Sequence, residues 1–253
     1  MIILKNSEEI EIMAEGGHIL ATVLQELKAA VKVGITTKEL DAMAYKLITA
    51  AHAVPAFLNY RPTGAAHGYP ATLCASINDG IVHGLPSKII LKEGDILKLD
   101  LGVRYKGFCS DAAVTVAVGK ISKKASDLIK ATEEAFFAGM YEAVIGKTLG
   151  DIGFAIEDVA KKKGFSVAEG LTGHGIGRSL HEDPYVFNFG RRGKGEVLED
   201  GMVIAIEPML TVGSGTIREL PDDSYVTKDG SLSAHFENTI AITEEGPRIL
   251  TTN

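Results

Sequence analysis

Apolar side chains recur at helical spacing over residues 8–31, where Ile10, Met13, Ile19, Leu20, Val23 and Leu27 fall near one face. Ser7 is the expected N-cap of that helix. A second helix is predicted over 37–51, opening with Thr36-x-x-Glu39, the spacing at which a hydroxyl and a carboxylate satisfy each other's backbone N–H. Two further helices are expected over 122–144 and 149–163, the latter closed by Gly164. Elsewhere the pattern changes. Short apolar runs at 72–78 and 81–83 lead into a hairpin formed by 95–103 and 108–118, and residues from 165 onward read as strands and loops. The Gly/Pro-rich stretch 54–72 reads as an ordered loop.

The strand segments repeat one another. Glu93-Gly-Asp-Ile-Leu-Lys-Leu-Asp100 resembles Asp200-Gly-Met-Val-Ile-Ala-Ile-Glu207, and Ser110-Asp111-Ala-Ala-Val-Thr-Val resembles Phe236-Glu237-Asn-Thr-Ile-Ala-Ile, in the same order. Each half also supplies a helix pair. The pattern predicts a duplicated α+β unit folded as one domain over residues 1–253, its halves meeting near 120–165.

Four acids sit where acids are unexpected. Asp100 and Asp111 flank the turn Arg104-Tyr-Lys-Gly107, so a tight hairpin would set them nearly opposite each other. Period-two reading places Asp111 with Ala113, Thr115 and Ala117, against Val114, Val116 and Val118. In the same way Glu207 joins Ala205, and Glu237 joins Thr239 and Ala241, each opposite a bulky apolar face. Any one of these acids alone would be read as pointing to water. Exposed strand faces, however, carry Lys, Thr and Glu, and these carry mostly Ala and Thr. Four converging carboxylates form six like-charged pairs of roughly 3 kcal/mol each at about 5 Å and an effective dielectric near 20. That sum of ~20 kcal/mol exceeds a typical net stability of ~5–15 kcal/mol. Such a cluster must be protonated or filled with cations, and oxygen ligands with an imidazole suit Mn, Fe, Co or Zn.

Imidazoles are at hand. Gly173-His174-Gly-Ile-Gly-Arg178-Ser-Leu-His181 sets two histidines seven apart in a segment of low bulk, and His83 ends an apolar run in Ile81-Val-His-Gly-Leu-Pro86. A lone histidine in such a place is usually structural. Beside four misplaced acids, the pair points toward metal or substrate.

Composition narrows the classes that remain. A hydrophobic fraction of 45% supplies a sizeable core, and a net charge of -7 without a basic stripe argues against nucleic-acid binding. The N-terminal stretch has no long apolar run and turns acidic early, so neither a signal peptide nor a membrane anchor is expected. Cys74 and Cys109 form no CxxC motif and read as reduced, half-buried side chains, which suits a cytoplasmic protein.

Taken in register from about residue 6 to 250, IVHGLP, GDILKLDLGVRYKGFCSDAAVT, GHGIGRSLHEDP, IAIEPM and SAHFENTIAIT resemble the methionine aminopeptidases of the pita-bread metallopeptidase family. The resemblance implies a pseudo-twofold antiparallel sheet with two helix pairs on its outer face. It implies two divalent ions (Co, Mn, Fe or Zn) on Asp100, Asp111, His174, Glu207 and Glu237, with Asp111 and Glu237 bridging. A metal-activated hydroxide would attack the scissile carbonyl, Glu207 would shuttle the proton, and His83 and His181 would touch the substrate. Tyr69, Cys74 and Leu180 would line a methionine slot, and carbonyls near Asn78 and Ser233 would take a monovalent cation. The implied partners are peptide and nascent-protein N-termini met at the ribosome, with a small second residue, and the implied state is a monomer. Two departures concern the rim of the site. The chain has no Trp, Asp222-Asp-Ser-Tyr225 stands where the family often carries one, and Leu180 replaces a more usual aromatic. Two alternatives are an X-Pro-cleaving enzyme of the same fold and a non-catalytic binding protein built on it.

Overall fold

The computed structural model describes residues 1–61 and 67–253. Residues 62–66, part of the loop expected over 54–72, lie outside the described residues. The chain runs α1 (Ser7–Ala30), α2 (Thr37–Ala50), β1 (Val54–Pro55), β2 (Leu73–Ile77), β3 (Gly80–Val82), β4 (Ile96–Tyr105) and β5 (Phe108–Ala117). Then come α3 (Lys123–Glu142), α4 (Leu149–Lys163), β6 (Ser166–Val167), β7 (Thr172–Gly175), β8 (Glu182–Phe187), β9 (Val203–Ile206) and β10 (Met209–Thr211). It ends in β11 (Ile217–Glu219), β12 (Tyr225–Thr227), β13 (Ser233–His235), β14 (Glu237–Thr243) and β15 (Gly246–Ile249).

Local chemistry sets the helix ends. The cap of α1 is Asn6 rather than Ser7: its side chain accepts from the Glu9 N–H at 2.9 Å, and Glu9 reaches back to the Asn6 N–H at 3.1 Å. An amide with its carbonyl on a short stem fills this role as well as a hydroxyl, which moves the start by one residue. Thr36 and Glu39 form the expected capping box on α2. Gly164 ends α4 in the left-handed region at φ 73°.

The main sheet has the order β1-β4-β5-β14-β9-β7-β8, with β2 paired to β4 and β15 to β14. Through its centre the order is β2-β4-β5-β14-β9-β7, a palindrome about the β5–β14 junction. The sequence echo maps onto it, β4 answering β9 and β5 answering β14. Helices α1 and α2 cover the first half through Leu20, Leu27, Leu40 and Ile48 against Leu97, Leu99 and Leu101. Helices α3 and α4 cover the second through Phe136, Ile152 and Ile156 against Ile204, Ile206 and Ile240. All four helices lie on the bulky apolar face, so the small-residue face is left open.

The approach of α1 is close. A Cβ at Gly17 would run into the backbone carbonyl of Leu250. Gly17→Ala is expected to cost about 3 kcal/mol through this overlap, lowering Tm by roughly 6–12 °C in a thermal melt.

Candidate metal centre

Antiparallel register assembles the site in two rows on the open face. The first runs Cys74, Asp100, Ala113, Glu237 across β2, β4, β5 and β14. In the second, His174 of β7 pairs with Ala205 of β9, which pairs with Thr239 of β14. The Thr239 hydroxyl donates to the Asp111 carbonyl and accepts the Asp111 N–H, each at 2.9 Å, so Asp111 of β5 ends that row. Glu207 follows β9 by one residue. Ala113 and Ala205 keep side-chain bulk low between these groups, and Gly102 makes room for the Phe57 ring, which a Cβ there would strike. The hairpin register differs from the sequence expectation. The turn is Lys106-Gly107, both at positive φ, so Asp111 pairs with Gly102 and Asp100 with Ala113. The two acids are diagonal neighbours, because a two-residue turn with both residues left-handed fixes the pairing two positions away from direct opposition.

All four carboxylates are buried: Asp100 is 8% exposed, Asp111 3%, Glu207 9% and Glu237 3%. Asp100 Oδ1, Asp111 Oδ1 and Glu237 Oε1 have no hydrogen-bond partner among the described residues. Their only ion-pair neighbours among the described residues are imidazoles. His174 Nε2 stands 3.6 Å from Glu207 Oε1 and 3.9 Å from Asp111 Oδ2. His235 Nε2 stands 3.6 Å from Glu207 Oε2 and 3.8 Å from Glu237 Oε2. Burial and mutual repulsion push Asp111, Glu207 and Glu237 well above the usual carboxylate range, and burial alone brings Asp100 to about 7. Burial also draws His174 down to about 4 and His235 to about 3, so neither ring offers a positive charge at neutral pH.

These distances fit a shared cation. Separations of 3.6–3.9 Å are too long for hydrogen bonds. Two atoms each about 2.0–2.2 Å from one ion stand up to roughly 4.2 Å apart. Asp111, His174 and Glu237 bring ligand atoms within 4.8 Å of one another, and so do Glu207, His235 and Glu237. Glu237 belongs to both groups. Asp100 stands outside both, yet its charge raises Asp111, Glu207 and Glu237. The Nδ1–H of His174 donates to the Gly175 carbonyl at 2.9 Å, which leaves the Nε2 lone pair free for an ion. The donor set therefore fits divalent metal.

His235 is the residue that sequence reading passed over. It is 1% exposed, and neither ring nitrogen has a hydrogen-bond partner among the described residues. Its signal was available, since residues two apart on a strand share a face and 235 precedes Glu237 by two.

Around the centre stand the other residues singled out above. His83 and His181 are both exposed at the cleft. The His181 ring lies edge-on to His174, with centroids 4.4 Å apart. Walls that solvent reaches only from one side, together with His174, draw His181 down to about 3. The Tyr60 hydroxyl meets His181 Nδ1 at 2.8 Å. His83 packs edge-on to Tyr225 at 5.7 Å, so an aromatic ring does occupy the rim stretch that lacks Trp. Cys74 and Cys109 are buried and free, rather than half-buried, because both pack into one apolar cluster with Phe57, Phe108, Ile176 and Leu180. Leu180, 2% exposed, closes an apolar cluster with Cys74, Phe57 and Phe108, against which half-buried Tyr69 packs. The Tyr69 hydroxyl is within reach of the Leu73 and Gly84 carbonyls, at 3.1 and 3.0 Å. Near Asn78 and Ser233 the inward carbonyls that the resemblance offered to a monovalent cation already hold the amine of Lys98, at 2.7 and 3.0 Å.

Residues 11–244 match metallopeptidase family M24, and the chain belongs to that family. It is 49% identical over 252 residues to a methionine aminopeptidase from Clostridium perfringens, with 99% of each chain covered. The crystal structure of methionine aminopeptidase from Thermotoga maritima superposes with a TM-score of 0.95 at 38% identity, covering 100% of both chains. The prolidase from Pyrococcus furiosus matches at a TM-score of 0.77 and 23% identity over 66% of its own length, a likeness of fold alone. The fold is the pita-bread α+β fold, with its curled antiparallel sheet and two helix pairs.

Proposed function

We propose that this chain is a methionine aminopeptidase, a metal-dependent hydrolase that removes the N-terminal methionine from peptides and nascent proteins whose second residue is small. The observation that carries the reading is the set of four buried carboxylates, with no Lys or Arg partner among the described residues, facing a lone-pair-ready imidazole on the open face of this sheet. Full-length identity to methionine aminopeptidases supplies the substrate class. The whole chain acts as one catalytic unit, since the sheet runs through both halves.

Asp100, Asp111, His174, Glu207 and Glu237 would hold two divalent ions, Co, Mn, Fe or Zn. When bound, such ions lower the pKa of water and polarise a carbonyl. The residues do the rest. Glu207, its carboxyl raised by burial and by its acidic neighbours, is suited to take a proton and pass it to the leaving amide nitrogen. Tyr60, hydrogen-bonded to Nδ1 of His181 at 2.8 Å, holds that ring in place, and His83 stands near it at the same mouth. Both imidazoles stabilise charge developing on the carbonyl oxygen. Tyr60→Phe removes that orientation, and kcat is expected to fall about tenfold with KM little changed in steady-state kinetics. Tyr69, Cys74 and Leu180, with Phe57, form the apolar wall for the methionine side chain.

The chain meets its substrates as nascent N-termini at the ribosome, as a cytoplasmic monomer. Among the described residues no helix is long and apolar enough to cross a membrane. Hydrolysis of Met-Ala-Ser against an X-Pro peptide tests the assignment: cleavage of the first, lost on chelation and restored by Mn or Co, is expected. Preference for the X-Pro peptide, or no metal-restored cleavage of either, overturns it.

A further inference from the structure

Lys98 lies on β4 two residues before Asp100, so the strand's period puts both side chains on the open face. It is 1% exposed, among the largest fully buried side chains of the protein. A buried lysine ordinarily pairs with a carboxylate. This one has no ion-pair partner among the described residues, and its amine donates instead to the backbone carbonyls of Asn78 at 2.7 Å and Ser233 at 3.0 Å.

The cradle is firmly built. Asn78 is held in the left-handed region at φ 52°. Its side chain donates to Asp95 at 2.9 Å and accepts the Ile96 N–H at 3.0 Å, and its own N–H donates to the Ile96 carbonyl at 2.9 Å. Its carbonyl is thereby turned toward β13, where it also accepts the Ser233 N–H at 3.0 Å and hydroxyl at 3.2 Å. The Ser233 hydroxyl reaches the Gly80 carbonyl at 2.8 Å as well. One segment of this cradle leads through β3 to His83; the other leads through β13 to His235 and Glu237. Convergent neutral carbonyls in buried space are the ligand set of a monovalent metal ion such as K⁺. Left empty, the Ser233 carbonyl would lose the amine it now accepts, and the Asn78 carbonyl would keep the Ser233 N–H and hydroxyl but lose its charged donor.

We propose that Lys98 is a tethered occupant of this carbonyl cradle, a positioning residue that replaces a free monovalent cation and ties the His83 segment to the His235–Glu237 segment. The amine is delivered by the same strand that carries Asp100, so its occupancy does not depend on the salt around the protein. A stem of four carbons, once removed, leaves room for a small cation to take the vacated place.

The test measures Tm and Met-Ala-Ser hydrolysis of the metal-loaded protein in KCl, NaCl, methylammonium chloride and tetramethylammonium chloride at equal ionic strength. Wild-type Tm is expected to agree within about 1 °C across all four salts, because no site responds to the cation. In tetramethylammonium, which is too large for the cradle, Lys98→Ala is expected to lose about 5 °C or more. K⁺ or methylammonium should restore most of that loss saturably, with activity recovering in parallel. A wild-type Tm raised specifically by K⁺ or Na⁺ overturns the proposal, as does a variant whose deficit no small cation repairs. Lys98→Met, which keeps the stem and removes only the donor, serves if the alanine variant does not fold, and if neither folds the wild-type comparison decides. The Tm comparison stands apart from the catalytic reading, so failure of the peptidase assignment would leave it intact and interpretable.

Discussion

Asp111→Asn is expected to lower kcat/KM on methionyl peptides by about 10³-fold and to reduce bound divalent metal in the same preparation. A unit negative charge and a dication about 4 Å apart at an effective dielectric near 20 attract by roughly 8 kcal/mol. If relaxation and water recover half of this, about 4 kcal/mol remains, or three decades in rate. The substitution is nearly isosteric, and Asp111 backbone contacts to Thr239 do not involve the carboxylate. The fold should therefore persist. With metal stripped by chelator, the variant should melt above wild type at pH 8, since the cost of holding one buried carboxyl protonated against its acidic neighbours is gone. Metal elemental analysis, steady-state kinetics and paired melts read the three effects. Full activity in the variant would remove Asp111 from the site, and a lower metal-free Tm would make its role structural.

The second large effect is the pH dependence of the chelated protein. A carboxyl whose pKa is raised on folding keeps its proton in the native state where the unfolded chain has lost it, so stability falls as pH rises toward the folded value. Asp100, ordinarily 3.8, is raised to about 7, and Asp111, Glu207 and Glu237 are raised well above the usual range. Buried His174 and His235 and the cleft-lining His181, drawn down to about 4, 3 and 3 from 6.5, pull the other way, but only below pH 6.5. Lys98, drawn by burial from 10.5 to about 7, offsets one acid above that value. Above pH 6.5 the acids therefore dominate. A net difference of two protons corresponds to up to about 3 kcal/mol per pH unit. Tm of the metal-free protein is expected to fall by about 5–10 °C between pH 6.5 and 8, and Mn should abolish the slope by supplying the missing positive charge. A metal-free Tm that is flat or rising across this range would mean that the carboxylates do not share a buried space.

The acids were legible because strand periodicity is rigid. Once Asp111 and Glu237 were placed among Ala and Thr opposite bulky apolar positions, their common face followed from the two-residue period alone. The helix pairs were legible for a similar reason, the spacing at 3.6 residues and the cap residues being local properties. Small errors arose where two residues could do one job, as Asn6 did in place of Ser7 at the start of α1.

Other features had no local signature. The diagonal relation of Asp100 to Asp111 depends on which residues take positive φ in the turn, and Lys106 is a residue seldom found there. His235 lies on the right parity, but whether its ring is orphaned or paired depends on what Glu207 presents from β9, distant in sequence. In Lys98 the chain reads as one more charged residue of a strand, and only the convergence of the Asn78 turn with β13 gives its amine two carbonyls.

By itself the sequence determined the elements, the duplicated order of its halves, and the face on which each acid stands, because these follow from residue spacing and short-range sterics. Tertiary structure alone decided which acids sit diagonally, that Glu237 is shared by two donor groups, that two imidazoles flank Glu207, and what fills the carbonyl cradle. Those outcomes depend on strand register across the β5–β14 junction and on contacts between segments more than a hundred residues apart. No local pattern carries that information.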